Sequence, residues 1–392
     1  MFTARIIGAM RFTALLLLAA LMTVSLNSQS RPRARDLGIT PGTMEPGAHN
    51  AITDVNGVLV GHTTVVSGDN VRTGVTAVLP HSGNLFREKV AGGVFVGNAF
   101  GKLAGSTQVE ELGTIESPIL LTNTLSVGTA IDAAVRWTLA QPGNENVRSV
   151  NALVGETNDG GLNDIRGLHV TREHIAAAIK GATTGPVEEG AVGAGTGTVA
   201  FGWKGGIGSS SRRVRQQNET YTVGVLVQTN YGGKLTIAGV PIWKELNPRS
   251  SNGRAPFPAD LSSDAGSAKE DGSCMIVVAT DAPLDARDLE RLAARAIFAM
   301  ARTGSTFSNG SGDFAIAFST HPSLRVTSVN GPQPRTVLPT DAVSGLFEAT
   351  LDATEEAIYN SMLKATDTTG NGRTIRALPI DTVRGLLKKY GR

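Results

Sequence analysis

The junction between Gly272 and Ser273 joins two unlike segments of the chain. Residues 247–271 are polar and rich in Pro, Gly and Ser, whereas residues 274–280 form a strand-like run with almost no polarity. Glycine tolerates backbone conformations that expose its carbonyl to the next side chain. If the Ser273 hydroxyl attacks that carbonyl, the amide becomes an ester, and water can then divide the chain.

The new terminus would carry a hydroxyl and a free α-amine on Ser273. An α-amine has an ordinary pKa of about 7.7–8.0, so it can act as a general base near neutrality. The nucleophile would then bring its own base, as in hydrolases that use an N-terminal threonine. The residues alone leave a plainer interpretation open, in which Gly272 ends a loop and Ser273 begins a strand.

The composition argues against several other kinds of chemistry. The chain has 392 residues, with 36 Lys and Arg against 34 Asp and Glu, and this balance argues against an electrostatic nucleic-acid binder. A single cysteine excludes an intrachain disulfide and a cysteine-based zinc site. The six histidines form no H-E-x-x-H pair, so a hydrolytic zinc site has little support. We therefore expect no metal and no cofactor.

The first thirty residues are typical of a secretory signal peptide. Two arginines precede a largely apolar run over residues 12–24, and two small serines follow it before Arg31. The run is shorter than the about 20 residues that span a bilayer. We therefore expect residues 1–30 to direct export to the periplasm, or secretion, and the mature protein to be free of the membrane. An uncleaved anchor is the alternative, and Met10 could replace Met1 as the start.

The elements that would position the junction are short strands and helices, as in α/β or α+β proteins. Gly, Asp and Asn separate the strand-like runs, which are residues 58–62, 75–79, 93–98, 118–121, 150–155, 221–229, 274–280 and 311–318. Apolar spacing predicts helices at 127–139, 171–180, 285–302, 341–364 and 381–390. Thr171 and Asp285 are placed to cap two of these helices.

Two conspicuous stretches are interpreted as structural. Residues 193–206 are dense in glycine but lack the Lys-Ser/Thr of a phosphate-binding loop. Their glycines therefore indicate close backbone packing. The basic run at 212–215 is expected to face solvent.

Several separate motifs, in the right order, resemble a family of self-processing aminopeptidases. That family includes the L-aminopeptidase/D-amidase-esterase and the bacterial β-aminopeptidases. The junction reads EDGS at residues 270–273, and ATDAPL follows the apolar strand at 279–284. The likeness covers most of the chain after the signal, and its other motifs lie at 36–39, 50–55, 57–62, 72–76, 154–157, 162–164, 225–230 and 311–320.

The resemblance implies a chain that is made inactive and cut between Gly272 and Ser273. The pieces 31–272 and 273–392 would stay associated in one catalytic domain, an α+β fold built as a four-layer αββα sandwich like that of the N-terminal nucleophile hydrolases. Ser273 would then be the nucleophile for substrate amides. Cys274 would take that role only if the cut fell one bond later, and since free cysteines are commonly buried, we expect it in the core.

The same resemblance assigns roles to four further side chains. Asn230 falls on the position whose amide helps to hold the oxyanion, and a preorganised neutral donor there stabilises charge as it develops. Ser311 and Asp313 match the hydroxyl and the carboxylate that hydrogen-bond around the nucleophile and its amine. Glu156 matches the carboxylate that receives the substrate's amino group. It has no evident basic neighbour in the sequence, so a buried carboxylate there would need the cation that a substrate supplies.

Two features depart from the family pattern. Glutamate is usual where Asp313 stands, so the carboxylate here is one methylene shorter, and a water or a small backbone shift must compensate. Residues 158–162 lack the aromatic side chains associated with this loop, which leaves the pocket wall and the substrate preference open.

We therefore expect an exported, self-cleaving serine aminopeptidase that acts on small peptides, amides or esters through an acyl-enzyme. Export and the spacing of the catalytic residues favour a β-aminopeptidase, while an L-aminopeptidase with D-amide activity and a broad amidase are alternatives. The resemblance also implies a homotetramer. From other classes, a solute-binding protein could hold a cation at Glu156 without cleaving anything. A self-cleaving acyltransferase of arginine synthesis is disfavoured, since it uses threonine at the junction and works inside cells.

Overall fold

Most of the strands form two large β-sheets, and two further pairs form small two-stranded sheets. The computed structural model describes residues 31–248, 272–327 and 330–392, so the predicted signal peptide and nearly all of the polar loop lie outside the described residues. The strands are β1 Leu59–Ser67, β2 Val71–Leu79, β3 Glu88–Ala99, β4 Leu103–Ala104, β5 Thr114–Ile115, β6 Ile119–Asn123, β7 Leu153–Thr157, β8 Val199–Ala200, β9 Trp203–Lys204, β10 Gly206–Gln216, β11 Glu219–Asn230, β12 Ser273–Thr280, β13 Gly312–Ser319, β14 Val326–Thr327, β15 Thr368–Gly370 and β16 Arg373–Ile375. The helices are α1 Ser106–Leu112, α2 Val127–Leu139, α3 Arg172–Lys180, α4 Ile242–Glu245, α5 Ala286–Thr303, α6 Ser344–Leu363 and α7 Ile380–Lys389.

The two large sheets form the two middle layers of a four-layer sandwich. One sheet has the strand order β1-β2-β6-β7-β4, and the other runs β10-β11-β12-β13-β3-β14 with β5 beside β3. Apolar side chains fill three interfaces: α2 and α3 against the first sheet, sheet against sheet, and α5 and α6 against the second sheet. The predicted αββα architecture is confirmed. In the described ranges, no helix combines the length and apolar character needed to cross a bilayer.

Strand β12 shows why an almost wholly apolar run lies at the centre of this fold. Its side chains alternate between faces, so Met275 and Val277 enter the core between the sheets while Ile276 and Val278 pack under the outer helices. Cys274 joins the second group and is completely buried, as predicted. A strand covered on both faces has no polar alternation, which is the pattern seen in the sequence.

Most predicted elements are present with shifted ends. Helix α2 has the predicted bounds, and the Asp285 side chain caps α5 by accepting a hydrogen bond from the backbone N–H of Asp288 at 3.0 Å. The glycines of residues 193–206 pack closely, as predicted. A methyl group on Gly195 would lie 2.5 Å from the backbone nitrogen of Ile207, and one on Gly206 would lie 2.3 Å from the carbonyl oxygen of Gly190.

Strand β10 was not predicted, and the interpretation of its basic run is wrong for one residue. Arg213 and Arg215 are exposed, but Arg212 is completely buried. Its Nη2 lies 2.7 Å from Oε2 of Glu356 on α6. Because side chains alternate across a strand, every second residue of the run faces the helix layer, where Glu356 supplies the opposite charge. The local sequence contains no sign of that distant carboxylate.

We expect Arg212→Met to lower the free energy of unfolding by about 3 kcal/mol, because it removes the buried one of the two cations that pair with the Glu356 carboxylate and leaves only the part-exposed Arg35. Urea unfolding followed by circular dichroism measures the change. Arg213→Met, on the exposed side of the same strand, is the matched control and should alter stability by less than about 0.5 kcal/mol. Equal stabilities for the two variants would contradict this account of Arg212.

Candidate active site

The ends of three neighbouring strands bring the predicted catalytic residues together. Asn230 ends β11, Ser273 begins β12 and Gly312 begins β13. Asn230 is level with Ser273 across the antiparallel pair, and Ser273 is level with Gly312 across the parallel pair. Residues directly opposed in an antiparallel pair share a face, so the Asn230 and Ser273 side chains lie together.

The carbonyl group of Gly272 is held by two hydrogen-bond donors. Its oxygen accepts from the Ser273 Oγ at 2.7 Å and from the backbone N–H of Gly312 at 3.0 Å. A methyl group on Gly272 would lie 2.4 Å from the Cα of Tyr231, so a larger residue does not fit here. The Gly312 N–H would stabilise negative charge on this oxygen as it develops. Sequence reasoning missed this donor, because a backbone group has no residue type to reveal it.

Ser311 and Asp313 lie on either side of Gly312 and contact each other. The Ser311 Oγ donates to Oδ1 of Asp313 at 2.9 Å, whereas Oδ2 is buried with no hydrogen-bond partner among the described residues. Burial raises the pKa of Asp313 to about 6, and hydrogen bonds from Ser311 and from the Cys274 backbone limit the rise. Asp313 is level with Cys274, so its side chain lies on the face opposite the Ser273 hydroxyl. The carboxylate therefore contacts the main chain of β12.

The side-chain amide of Asn230 has a defined orientation. Its Oδ1 accepts from the backbone N–H of Val199 at 2.9 Å. Only the oxygen of an amide can accept, so Nδ2 is left as a donor on the Ser273 side of the strand pair. This arrangement suits a group that donates to an oxyanion.

Glu156 approaches the same region from the other sheet, where it lies near the end of β7. It is 2% exposed, and its Oε1 accepts from the backbone N–H of Lys102 at 3.0 Å while Oε2 accepts from the Thr124 hydroxyl. The expectation that it lacks a basic neighbour is wrong, because Lys102 Nζ lies 3.7 Å from Oε1. The Lys102 side chain is 55% exposed, so this cation is held at the surface and can be replaced.

Glu156 lies close to the start of β13, with Gly101 between them. A methyl group on Gly101 would lie 3.4 Å from Oε1 of Glu156 and 3.1 Å from the Cα of Gly312. Gly312 in turn is level with Ser273. All of the predicted site residues therefore lie at one end of the sandwich, and Gly101 separates the Glu156 carboxylate from Gly312, the residue level with Ser273.

Two exposed apolar residues are chain neighbours of groups that contact Glu156. Phe100 precedes Gly101, Leu125 follows Thr124, and both are large hydrophobic residues open to solvent. Residues 158–162, which lack aromatics, instead contribute a buried carboxylate: burial raises the pKa of Asp159 to about 6.

An αββα sandwich with a serine at the start of a central strand, beside a hydroxyl and a carboxylate, defines a serine-type N-terminal nucleophile hydrolase. The chain belongs to peptidase family S58, whose family model matches residues 50–375. It is 44% identical over 390 residues to the beta-peptidyl aminopeptidase BapA of Sphingosinicella microcystinivorans, with 96% of this chain and 97% of that protein covered.

Solved structures agree with this assignment. A beta-aminopeptidase from a Burkholderia species superposes with a TM-score of 0.81 at 37% identity, covering 92% of this chain and 99% of the other. The L-aminopeptidase D-Ala-esterase/amidase of Ochrobactrum anthropi, described as a prototype for the serine aminopeptidases with a variant Ntn hydrolase fold, superposes with a TM-score of 0.83 at 35% identity and the same coverage. The protein is therefore an aminopeptidase, and the solute-binding interpretation is wrong.

The buried carboxyl of Asp313 predicts a specific dependence of stability on pH. Its folded pKa of about 6 lies above the ordinary 3.8, so the unfolded chain loses this proton first and the free energy of unfolding falls as pH rises from about 4 to 6. The comparison is made in a Ser273→Ala background, which lacks the reactive hydroxyl. There, Asp313→Asn should reduce the decrease in the free energy of unfolding by up to roughly 3 kcal/mol. Urea unfolding at pH 4 and pH 7 measures it. Identical pH dependences in the two proteins would contradict the raised pKa.

Proposed function

We propose that this protein is an exported β-aminopeptidase that cuts its own chain between Gly272 and Ser273 and then uses Ser273 as its nucleophile. The observation that carries the proposal is the Gly272 carbonyl, whose oxygen accepts from both the Ser273 hydroxyl and the Gly312 N–H. The attacking oxygen, the scissile carbonyl and an oxyanion donor are already assembled in the intact chain.

Self-cleavage follows from this geometry in two steps. The Ser273 Oγ forms a bond to the carbonyl carbon of Gly272 and releases its proton, while the Gly312 N–H donates to the carbonyl oxygen as negative charge develops on it. The bond from that carbon to the Ser273 nitrogen then breaks, and the nitrogen takes a proton to become a free amine. Water hydrolyses the resulting ester and releases the Gly272 carboxylate.

Substrate hydrolysis uses the same attacking oxygen, Ser273 Oγ, on the carbonyl of the substrate. The Ser273 amine accepts the proton of its own hydroxyl, Oγ attacks the substrate carbonyl, and Nδ2 of Asn230 donates to the oxyanion. The leaving amine takes the proton, and water releases the acyl group. A cationic amine on Ser273 would also supply a partner for Oδ2 of Asp313, which has none among the described residues of the intact chain.

Glu156 would receive the substrate's amino group and thereby limit the enzyme to N-terminal residues. Two hydrogen bonds, from the Lys102 backbone and the Thr124 hydroxyl, hold its carboxylate in place. A fixed carboxylate selects substrates by the spacing between their ammonium and carbonyl groups, and this spacing is one methylene longer in β-amino acids. The similarity to beta-peptidyl aminopeptidases supports the longer spacing for this chain.

Export, association of the two pieces and assembly into a tetramer complete the proposal. The basic and apolar start of the chain supports export. Strands β11 and β12 pair across the proposed cut, so the pieces 31–272 and 273–392 would remain joined by a continuous sheet. The tetramer is a prediction from the family resemblance.

We expect the purified protein to give two bands on a denaturing gel, of 242 residues (31–272) and 120 residues (273–392). Ser273→Ala should give a single band, since the attacking oxygen is removed. N-terminal sequencing of the small piece distinguishes cleavage before Ser273 from cleavage before Cys274. Full activity in a preparation that contains only uncut chain would refute the proposed nucleophile.

We expect a β-amino acid amide to be hydrolysed at least ~10-fold faster, as kcat/KM, than the α-amino acid amide with the same side chain, because a charged hydrogen bond worth roughly 1.5–3 kcal/mol is made only at the right spacing. Release of ammonia measures both rates. The N-acetylated β-amide is the matched control and should be inert. A preference for the α-amide would favour the L-aminopeptidase/D-amidase-esterase activity instead.

A further inference from the structure

Lys204, on β9, is a buried charge that the proposed mechanism does not use. Its side chain is completely inaccessible to solvent. The ammonium donates to three backbone carbonyl oxygens, those of Gly195 at 2.8 Å, Thr198 at 2.9 Å and Gly205 at 2.9 Å. All three of its protons are thus committed to neutral main-chain acceptors. Burial lowers the pKa of Lys204 to about 7, and the charge of the nearby Asp159 carboxylate limits the fall.

One of these carbonyls belongs to the peptide group that orients Asn230. The carbonyl of Thr198 and the N–H of Val199 are the two ends of a single planar peptide unit. The Lys204 ammonium donates to the oxygen of this peptide unit, and the N–H of the same unit donates to Oδ1 of Asn230 at 2.9 Å. A continuous series of hydrogen bonds therefore leads from the buried ammonium to the amide that faces Ser273.

We propose that Lys204 is a positioning residue for the oxyanion-binding amide of Asn230. This inference rests on the proposed function, because it requires Asn230 to donate to the oxyanion. Hydrogen bonds from a charged donor are stronger than neutral ones, and bonds in series polarise one another. The ammonium thus fixes the peptide and strengthens its N–H as a donor, which holds Oδ1 and leaves Nδ2 correctly aimed.

The surrounding chain explains why such a constraint is needed. The Thr198–Val199 peptide lies in the glycine-dense region of residues 193–206, where the glycines have no side chains to anchor the segment, so hydrogen bonds to its main chain must fix its position. Its other attachments near Asn230 include the N–H of Phe201, which donates to the carbonyl oxygen of Tyr231 at 2.7 Å. An oxyanion donor works only when it is held in place before charge develops. Lys204 ties three separate points of this segment to one centre.

The test is a double-mutant cycle on the cleaved enzyme, with Lys204→Met, Asn230→Ala and the double variant. We expect Lys204→Met to lower kcat by about 10- to 100-fold with KM changed less than about 2-fold, and Asn230→Ala to lower kcat by about 100- to 1,000-fold. The double variant should be no slower than Asn230→Ala alone, because Lys204 acts through Asn230. Lys180→Met, an exposed lysine at the end of α3, is the control and should keep full activity.

Independent losses that multiply in the double variant would overturn the proposal, as would a raised KM with unchanged kcat. Should Lys204→Met fail to fold, Lys204→Gln, which keeps two donors, replaces it in the same cycle, and the same outcomes decide the result.

The scissile Gly272 carbonyl is held by Gly312, so Lys204 variants should still cut themselves into two bands, and a variant that stays intact contradicts the proposal. Full kcat in Asn230→Ala removes the role of Asn230, whereas an uncut wild-type chain refutes the proposed function itself.

Discussion

The pairing of β12 between β11 and β13 is the constraint on which the site depends. Backbone hydrogen bonds set the register, and the register alone makes Asn230, Ser273 and Gly312 level with one another. A shift of one residue would move every side chain of β12 to the opposite face. Both faces of β12 are apolar, so such a shift is opposed by the close packing of side chains of different size rather than by their polarity. The packing of the core therefore also fixes the geometry of the chemistry.

The charged groups at this end of the sandwich have different surroundings, and these differences suit the role proposed for each group. Asp313 is buried with one unpaired oxygen, which favours its neutral form in the intact chain. Glu156 is buried but contacts the exposed cation of Lys102, so its charge has a partner that a substrate's ammonium could displace. Lys204 is buried among carbonyls and is committed to structure. In the proposed mechanism Asp313 would gain a cationic partner, Glu156 would exchange Lys102 for the substrate's ammonium, and Lys204 would hold the Thr198–Val199 peptide.

Close approach of backbones makes this crowding possible. Gly272 lies against Tyr231, and Gly101 separates Glu156 from Gly312. Each glycine stands where a methyl group would meet main-chain atoms or the carboxylate. The high glycine content of the chain is therefore connected with the site itself, since the two sheets contribute groups that can meet only where side chains are absent.

The sequence by itself determined most of the strands and helices other than β10, the cap of α5 and the buried character of β12 and Cys274, because periodicity and turn chemistry are local properties. The set of residues that assemble around Ser273 came from the family resemblance. Tertiary structure alone decided that the Gly312 N–H faces the Gly272 carbonyl, that Lys102 approaches Glu156, that Arg212 meets Glu356 and that Lys204 binds the Thr198 carbonyl. These contacts join backbone groups and charges from distant parts of the chain. Whether a polar residue faces water or a partner depends on which strands and helices pack together, and no local pattern encodes that.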